Sequence, residues 1–498
     1  MKDKFVKLSS IIAKYAFYIF VIFYSLANIF FTIRRYNGLD QSYEVNYLFG
    51  FNFFNLFCLI SIFVIFVYLY NRKFFRLSSK KYLYGFLLFA FIVGFAWIAV
   101  NPQELVELDD SYNCFRAASY IADGDLSVIG YKSYINTYPH NLPLVTYFLL
   151  IIKIFGHSNA VFAIRIINLV LVLIGYYSLY KITEELFEDE RVNCFVVLLM
   201  FLSIQFVFYS FMVYSNVIAY STGMFSLWFF QKYIKNNQIK NLVISLVAII
   251  ISASLKNNSL ILLVAELIYI FLKMVKKLDY RVTLITFASL ILFTLTSTGI
   301  IKFWEKQSGS DYSNKLPMSC WIAYGMNYYE GNPGGYTNEF ETFHHENDYV
   351  VEYTDTKAKE FIHNVLETFK EKPNVMVRFY IQKFLVSFAN PEYDAFASYR
   401  EIERNDFTES AISGKTNNLL FNVWDATSTI VSIGLLAYIL IDNRKIELKH
   451  LLLAVCVFGG FLFHAFWETK SLYLYQYYLL LLPYAAKGLI NIFERKVR

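Results

Sequence analysis

The chain has 498 residues, 57% of them hydrophobic and 20% aromatic, with a formal charge of +6. Repeated apolar runs of about 18 to 22 residues, the length needed to cross a hydrocarbon core, exclude a soluble globular domain and make this a polytopic membrane protein. The positive charge would suggest a nucleic-acid partner in a soluble protein, but here it gathers in short loops between apolar runs and reads as a topology signal, so no nucleic acid is expected.

In chain order, MKDKFVKLSS leads into an apolar run without a small-residue cleavage site and reads as an uncleaved signal anchor. Spans are predicted at 10–33, 48–70, 83–100, 161–182, 193–212, 214–231, 240–255, 258–275, 282–301, 418–441, 450–467 and 471–492. The basic residues after the second span (Arg72, Lys73, Arg76), the sixth (Lys232, Lys235), the eighth (Lys273, Lys276, Lys277) and the tenth (Arg444, Lys445) fall on the N-terminal side, as does the basic C-terminus. The positive-inside rule makes that side cytoplasmic. An all-α bundle of about 12 transmembrane helices with both termini inside fits this pattern, and parity then places two large loops outside, 101–158 and 303–417. Together those loops hold 24 of the 39 carboxylates, so the polar chemistry collects outside the spans. The chain divides into an N-terminal pair of helices (1–82), a transmembrane core with the first outer loop (83–302), the large outer loop (303–417) and C-terminal helices (418–498).

Within the loops, Leu142–Phe155 is short for a span and carries Lys153, which suits a helix lying at the outer interface. Phe361, Val365 and Phe369 form an apolar stripe at helical spacing, and Val377, Ile381, Leu385 and Phe388 repeat it after Pro373, with Arg378, Gln382 and Lys383 on other faces. Cys58, Cys194 and Cys456 fall in apolar segments and read as small core residues, whereas Cys114 and Cys320 lie in the two outer loops, where a disulfide is chemically open.

Twelve spans alone would suit a transporter, whose markers are ionisable residues or broken helices at mid-membrane. The spans are poor in such residues, Glu266 being the clearest internal acid, and this favours an enzyme acting at the outer leaflet. Sugar transfer to a hydroxyl needs a base for the acceptor proton and cations for the leaving phosphate. Asp109 and Asp110 open a helical pattern over Ser111–Ala122 that sets Asp110, Asn113 and Ala117 on one face. By spacing alone the two aspartates serve equally as a helix cap or as a base at the positive end of the helix dipole. Lys256, in the tight turn KNNS on the outer side, suits an anionic phosphate or a snorkelling lysine. Arg165, inside the apolar run VFAIRIINLV, requires an acid or a phosphate as partner. Tyr138, His140 and Asn141 form a turn beside the aspartates, and Glu468, Lys470 and Tyr473 sit with His464 at the outer junction of the last two spans. His344, His345, Glu346 and Asp348 lack the spacing of a metal site, so neither metal nor cofactor is called for.

The stretch DDSYNCFRAASYIADGD resembles the first outer loop of the GT-C glycosyltransferases, which include the protein O-mannosyltransferases and the lipid A aminoarabinose transferases. Asp110, with Cys114, Phe115 and Ala118 after it, fits the register of their acidic motif, although Ser111 replaces the usual Glu and Asp109 adds an acid before it. YPHNLPLVTYFLLIIKIFG, FAIRIIN, LKNNSLILLVA, WIAYGMNYYEGNPGGY, QKFLVSFANPEYDAF and WETKSLYLYQYYLLLLPYAAKGL resemble, in order, later segments of the Gram-positive branch of glycosyltransferase family 39. The resemblance covers about residues 83–492, with Asn257 in place of a proline and Leu472 where an Arg is common. It implies a polyprenyl-phosphate-linked monosaccharide donor, inverting transfer at the outer leaflet of the cell membrane, and a cell-surface glycan, lipid or protein as acceptor. It also implies Asp110 or Asp109 as base, Lys256 and Arg165 near the donor phosphate, and Tyr138, His140, Asn141, Glu468, Lys470 and Tyr473 in the substrate pocket. A polysaccharide polymerase or ligase using a lipid-diphosphate oligosaccharide, and a transporter or flippase, are the competing readings.

Overall fold

The computed structural model describes residues 2–37, 43–49, 53–71, 78–102, 110–329, 331–396, 406–441 and 448–495. Helix α1 (Lys2–Phe30) leads into an antiparallel hairpin, β1 (Phe31–Asn37) paired with β2 (Tyr43–Phe49), before α2 (Phe53–Asn71) and α3 (Ser79–Val100). The first loop contributes α4 (Asp110–Ala122), the single turn α5 (Tyr134–Thr137) and α6 (Leu142–Phe155). Next come α7 (His157–Phe187), α8 (Glu190–Leu202), α9 (Gln205–Phe208), α10 (Asn216–Asn236), α11 (Ile239–Leu255), α12 (Leu260–Lys276) and α13 (Tyr280–Ser308). The second loop holds α14 (Ser319–Gly325), α15 (Glu339–Glu346), α16 (Val351–Glu371), α17 (Pro373–Phe388) and α18 (Asp406–Ile412), and the chain closes with α19 (Lys415–Ile441), α20 (Leu448–Phe466) and α21 (Ser471–Arg495).

Each predicted span overlaps a helix among the described residues. Among the described residues, seven helical segments are long and apolar enough to cross a membrane, and the bent pair α8–α9 makes an eighth. The chain is a multi-pass, all-α membrane protein with one small hairpin. That hairpin is a departure from the prediction, which ran 10–33 as one span. Its backbone is anchored by Ile33 N–H donating to the Ala389 carbonyl at 2.9 Å, where α17 ends.

The span predicted at 193–212 is not continuous. It bends by 51° between Leu202 and Gln205. A broken helix frees backbone carbonyls that hydrocarbon cannot satisfy, and here the Ser203 carbonyl accepts from Tyr176 Oη at 2.7 Å and Tyr475 Oη at 3.0 Å. Ser203 Oγ adds a bond to Tyr478 Oη at 2.7 Å, so three tyrosines of α7 and α21 stabilise the break.

Helix α21 lies at the centre of the bundle, its Tyr475, Tyr477, Tyr478 and Tyr484 all buried. It meets α19 at a backbone crossing where a Cβ on Gly488 would sit 1.7 Å from the Gly434 carbonyl oxygen. Only glycine permits that approach, the small-residue packing expected where hydrophobicity gives no drive between helices. In the first loop, α4 buries Cys114, Ala117, Ala118 and Ile121 in one apolar cluster with Phe148 and Ile152 of α6. Gly156, at φ +78°, separates α6 from α7, so Leu142–Phe155 is a short helix of its own, as its length predicts. Cys320 belongs to a different cluster, with Tyr324, Phe340 and Ala358. All five cysteines are free thiols, and the pairing left open for Cys114 and Cys320 does not occur.

Candidate active site

Asp110 is the first residue of α4 and is exposed to solvent. Both carboxylate oxygens carry phenol donors. Tyr134 Oη donates to Oδ1, and Tyr214 Oη donates to Oδ2 at 2.9 Å. Asn141 Nδ2 in turn donates to Tyr134 Oη at 3.0 Å. These two hydrogen bonds fix the plane of the Asp110 side chain at the start of α4. Tyr134 stands where it does because Ser133 caps α5, its hydroxyl accepting from Asn136 N–H at 3.0 Å.

Tyr214 is placed by the broken span. After Phe211 the chain runs out of helix, and its carbonyls need donors. Arg165 Nε reaches the Phe211 carbonyl at 3.1 Å and Asn168 Nδ2 the Met212 carbonyl at 2.7 Å, both from α7. Arg165 is fully buried, lies 3.5 Å over the Phe211 ring and also holds the Pro102 carbonyl at 2.6 Å. Its cost in the apolar run is thus offset by backbone carbonyls, and it ties the start of the first loop to the segment that carries Tyr214.

Lys256, between α11 and α12, sets its ammonium 4.9 Å from the Tyr214 ring and 4.8 Å from the Tyr473 ring. Two aromatic faces stabilise a cation while leaving its hydrogens for an anion. Burial pushes Lys256 down to about 8, against the pull of Asp110 and Glu468. Tyr473 stacks on His464 at 6.0 Å and lies 6.0 Å from Lys470. Lys470 Nζ is 3.7 Å from Glu468 Oε1, and burial raises the Glu468 carboxyl. Tyr138 and His140 stand on the other side of Tyr134, whose ring is 5.0 Å from that of Tyr138. His140 keeps an exposed edge, yet protein surrounds it closely enough that burial lowers its imidazole to about 4. It is neutral at pH 7.

The turn carrying Glu468 is built from the second loop. Lys383 of α17 is buried and its ammonium donates to the carbonyls of Gly325, Ala465 (3.0 Å) and Trp467 (2.9 Å). Three donors meet three acceptors, which lets a charge remain buried, and burial still lowers Lys383 to about 7. His464 Nδ1 bonds the Glu468 carbonyl at 2.9 Å, and Thr469 N–H donates to the Gly334 carbonyl at 2.9 Å. Asp394, in a left-handed conformation at φ 55°, accepts from Ser471 Oγ at 2.7 Å at the start of α21. A Cβ on Gly325 would meet the Phe466 carbonyl oxygen at 2.3 Å, so the approach of α14 to this turn requires glycine.

The structure therefore brings Asp110, Lys256, Tyr138, His140, Asn141, Glu468, Lys470 and Tyr473 into one region. Asp109 lies outside the described residues. Tyr134, Tyr214, Lys383 and Asp394 were not singled out from the sequence. The first two were hidden among 41 tyrosines, and Lys383 read as a polar face of an amphipathic helix. His344 is a satisfied histidine, bonded to Thr354 Oγ1 at 2.8 Å and the Asn314 carbonyl at 2.9 Å.

Residues 139–329 match the family model described as dolichyl-phosphate-mannose-protein mannosyltransferase. The GT-C resemblance read from the sequence is borne out over this stretch. No curated protein matches the chain. Among solved structures it is similar to ArnT from Cupriavidus metallidurans in the apo state, at 11% identity and TM-score 0.36, covering 82% of this chain and 77% of that one. It is similar also to the same protein bound to undecaprenyl phosphate, at 12% identity and TM-score 0.36, covering 83% and 77%. No residue role is carried over from these likenesses.

Proposed function

We propose that the protein transfers a monosaccharide from a polyprenyl-phosphate-linked donor to an acceptor hydroxyl at the outer face of the membrane, with inversion. The observation that carries this reading is the pairing of an exposed, doubly hydrogen-bonded Asp110 with Lys256 through the shared Tyr214. The family match over 139–329 supports the reaction class.

In the proposed displacement the acceptor oxygen attacks the anomeric carbon on the face opposite the phosphate. Asp110 takes the acceptor proton as the new C–O bond forms. The anomeric carbon–oxygen bond to phosphate breaks, and the electron pair leaves with the polyprenyl phosphate. Lys256 stabilises that developing charge, a role suited to a fixed cation in a partly desolvated setting. Tyr134 and Tyr214 orient the base, and Arg165 acts one step removed, by positioning the Tyr214 segment rather than by touching phosphate. Glu468, Lys470 and Tyr473 border the Lys256 side, while Tyr138, His140 and Asn141 border the other. The basic loops of the sequence support an outer location of this region, with the termini cytoplasmic.

The test is transfer from a radiolabelled undecaprenyl-phosphate hexose in membranes containing the protein or its Asp110→Asn variant. Transfer by the native protein that is lost in the variant is expected. Equal transfer by both, at matched expression, overturns the role of Asp110. Absence of glycosidic product with any monophosphate donor overturns the reaction, and product from diphosphate donors alone would favour a polymerase or ligase.

A further inference from the structure

Next to Asp110 lies a second cluster that the proposed chemistry does not use. Tyr138 packs on Tyr134, His140 stands edge-on to Tyr138 at 6.0 Å, and Trp321 stands edge-on to both, at 6.2 Å from Tyr138 and 5.8 Å from His140. Glu341 Oε2 accepts from Tyr138 Oη at 2.8 Å and from Tyr336 Oη at 2.5 Å. Its other oxygen, Oε1, has His345 Nε2 at 3.8 Å, beyond hydrogen-bond reach. Four segments thus converge: the turn before α6, α14, the loop at Tyr336 and α15.

Packing accounts for only part of this cluster. Tyr138 is buried in one apolar cluster with Leu316, Cys320, Ala323, Tyr324 and Phe340, and Trp321 packs on that cluster while staying only partly covered, but His140 and Tyr336 are exposed and the Glu341 carboxylate is not part of it. The Trp321 indole N–H donates to no acceptor among the described residues. A loop–loop contact needs neither a carboxylate with an open oxygen, nor a neutral imidazole, nor a half-exposed indole. A pyranose needs this combination: an apolar ring face for its C–H groups, a carboxylate for two hydroxyls, and neutral donors and acceptors around the rim.

We propose that Trp321, His140, Tyr336 and Glu341 form a saccharide subsite for the acceptor. On the transferase reading, on which this rests, the acceptor is then a glycan of at least two sugar units. One unit presents its hydroxyl to Asp110 and the next lies on Trp321. A continuous chain of contacts supports a single run of sugar: Tyr134 bonds Asp110, its ring lies 5.0 Å from that of Tyr138, and Tyr138 Oη donates to Glu341 at 2.8 Å.

The experiment uses the full chain in lipid nanodiscs and saturation-transfer NMR with mannobiose, cellobiose and chitobiose as saccharide probes, and a Ser/Thr-rich peptide as the protein-acceptor probe. Binding of at least one disaccharide is expected, weakened tenfold or more by Trp321→Ala and by the isosteric Glu341→Gln. Glu341→Gln keeps an acceptor for both phenols, so it separates lost recognition from lost folding. No saccharide signal with the native protein, signals unmoved by both variants, or binding of the peptide alone each overturns the subsite. Undecaprenyl phosphate binding, read by native mass spectrometry in the native protein and in Lys256→Met, is the parallel arm. If lipid phosphate binds through Lys256 and no saccharide binds, the subsite fails while the transferase reading stands; if neither binds, both fail.

Discussion

Two aspartates in this protein have the same hydrogen-bond count and opposite settings. Asp110 accepts from Tyr134 and Tyr214; Asp425, in α19, accepts from Thr32 through one oxygen and from Asn55 through the other. Asp425 is buried where α1, β1 and α2 pack on α19, and no cation lies against it among the described residues. Asp110 is exposed, and its Tyr214 partner also faces the Lys256 ammonium. Two donors on a carboxylate therefore do not make a site. Buried with neutral partners, a carboxyl joins helices, as Glu266 also does through Ser226 at 2.7 Å and Ser245 at 3.0 Å. Open to solvent and beside a fixed cation, it is equipped to take a proton while a neighbouring negative charge is stabilised.

The largest expected effect follows from that contrast. Asp110→Asn keeps the shape and the helix start but removes the proposed base, and should lower transfer by roughly 10²–10⁴-fold, with little change in melting temperature. Lys256→Met comes next. A cation aimed at a leaving phosphate contributes at the scale of a lost oxyanion donor, about 10²–10³ in kcat, and donor binding should weaken with it. Its protonation gives a sign to the pH profile. Lys256 is an ammonium below about 8 and an amine above, so kcat/KM should fall as pH rises through that value. Bound phosphate favours the ammonium, so the corresponding fall in kcat should lie at higher pH. A profile flat from 7 to 9.5 in kcat/KM would separate Lys256 from the donor.

A smaller loss is expected from Lys383→Met, which touches no substrate in the proposed reaction. It removes the donor to three carbonyls and frees the Glu468 turn, so kcat should fall on the order of tenfold, a loss of about 1.4 kcal/mol in transition-state stabilisation. Lys383→Arg should restore part of it if reach is what matters, whereas a purely structural role would show as lost melting temperature with unchanged kcat per folded molecule.

These residues also mark how far the sequence could be read. The twelve apolar runs were legible because hydrocarbon thickness sets their length, and Asp110, Lys256 and the Glu468 turn were legible because ionisable residues at the ends of apolar runs are costly and therefore informative. The phenols of Tyr134 and Tyr214 were not. In a chain this rich in tyrosine a single one carries no signal, and what selects these two is the end of a broken helix and a capped single turn. The break itself, at Ser203, has no proline or glycine to announce it; three tyrosines from distant helices stabilise it. Lys383 was misleading for a related reason. Its neighbours suggested a solvated face, and only the meeting of α14, α17 and the α20–α21 turn turns that face inward.

The smallest expected effect tests the other half of the comparison. Asp425→Asn keeps the side-chain shape and can still accept from Asn55 while its amide donates to Thr32 Oγ1. The joint between the N-terminal helices and α19 should hold, with transfer within about twofold of native and stability changed by no more than about 1 kcal/mol, the scale of one neutral hydrogen bond. Transfer assays and thermal melts on Asp425→Asn and Asp110→Asn prepared side by side decide the matter. If Asp425→Asn loses transfer as Asp110→Asn does while melting normally, hydrogen-bond count rather than exposure and a neighbouring cation would be the better guide to function here. If its kcat and its melt both stay close to native, Asp425 acts as a joint that the amide can replace and the chemistry stays with Asp110.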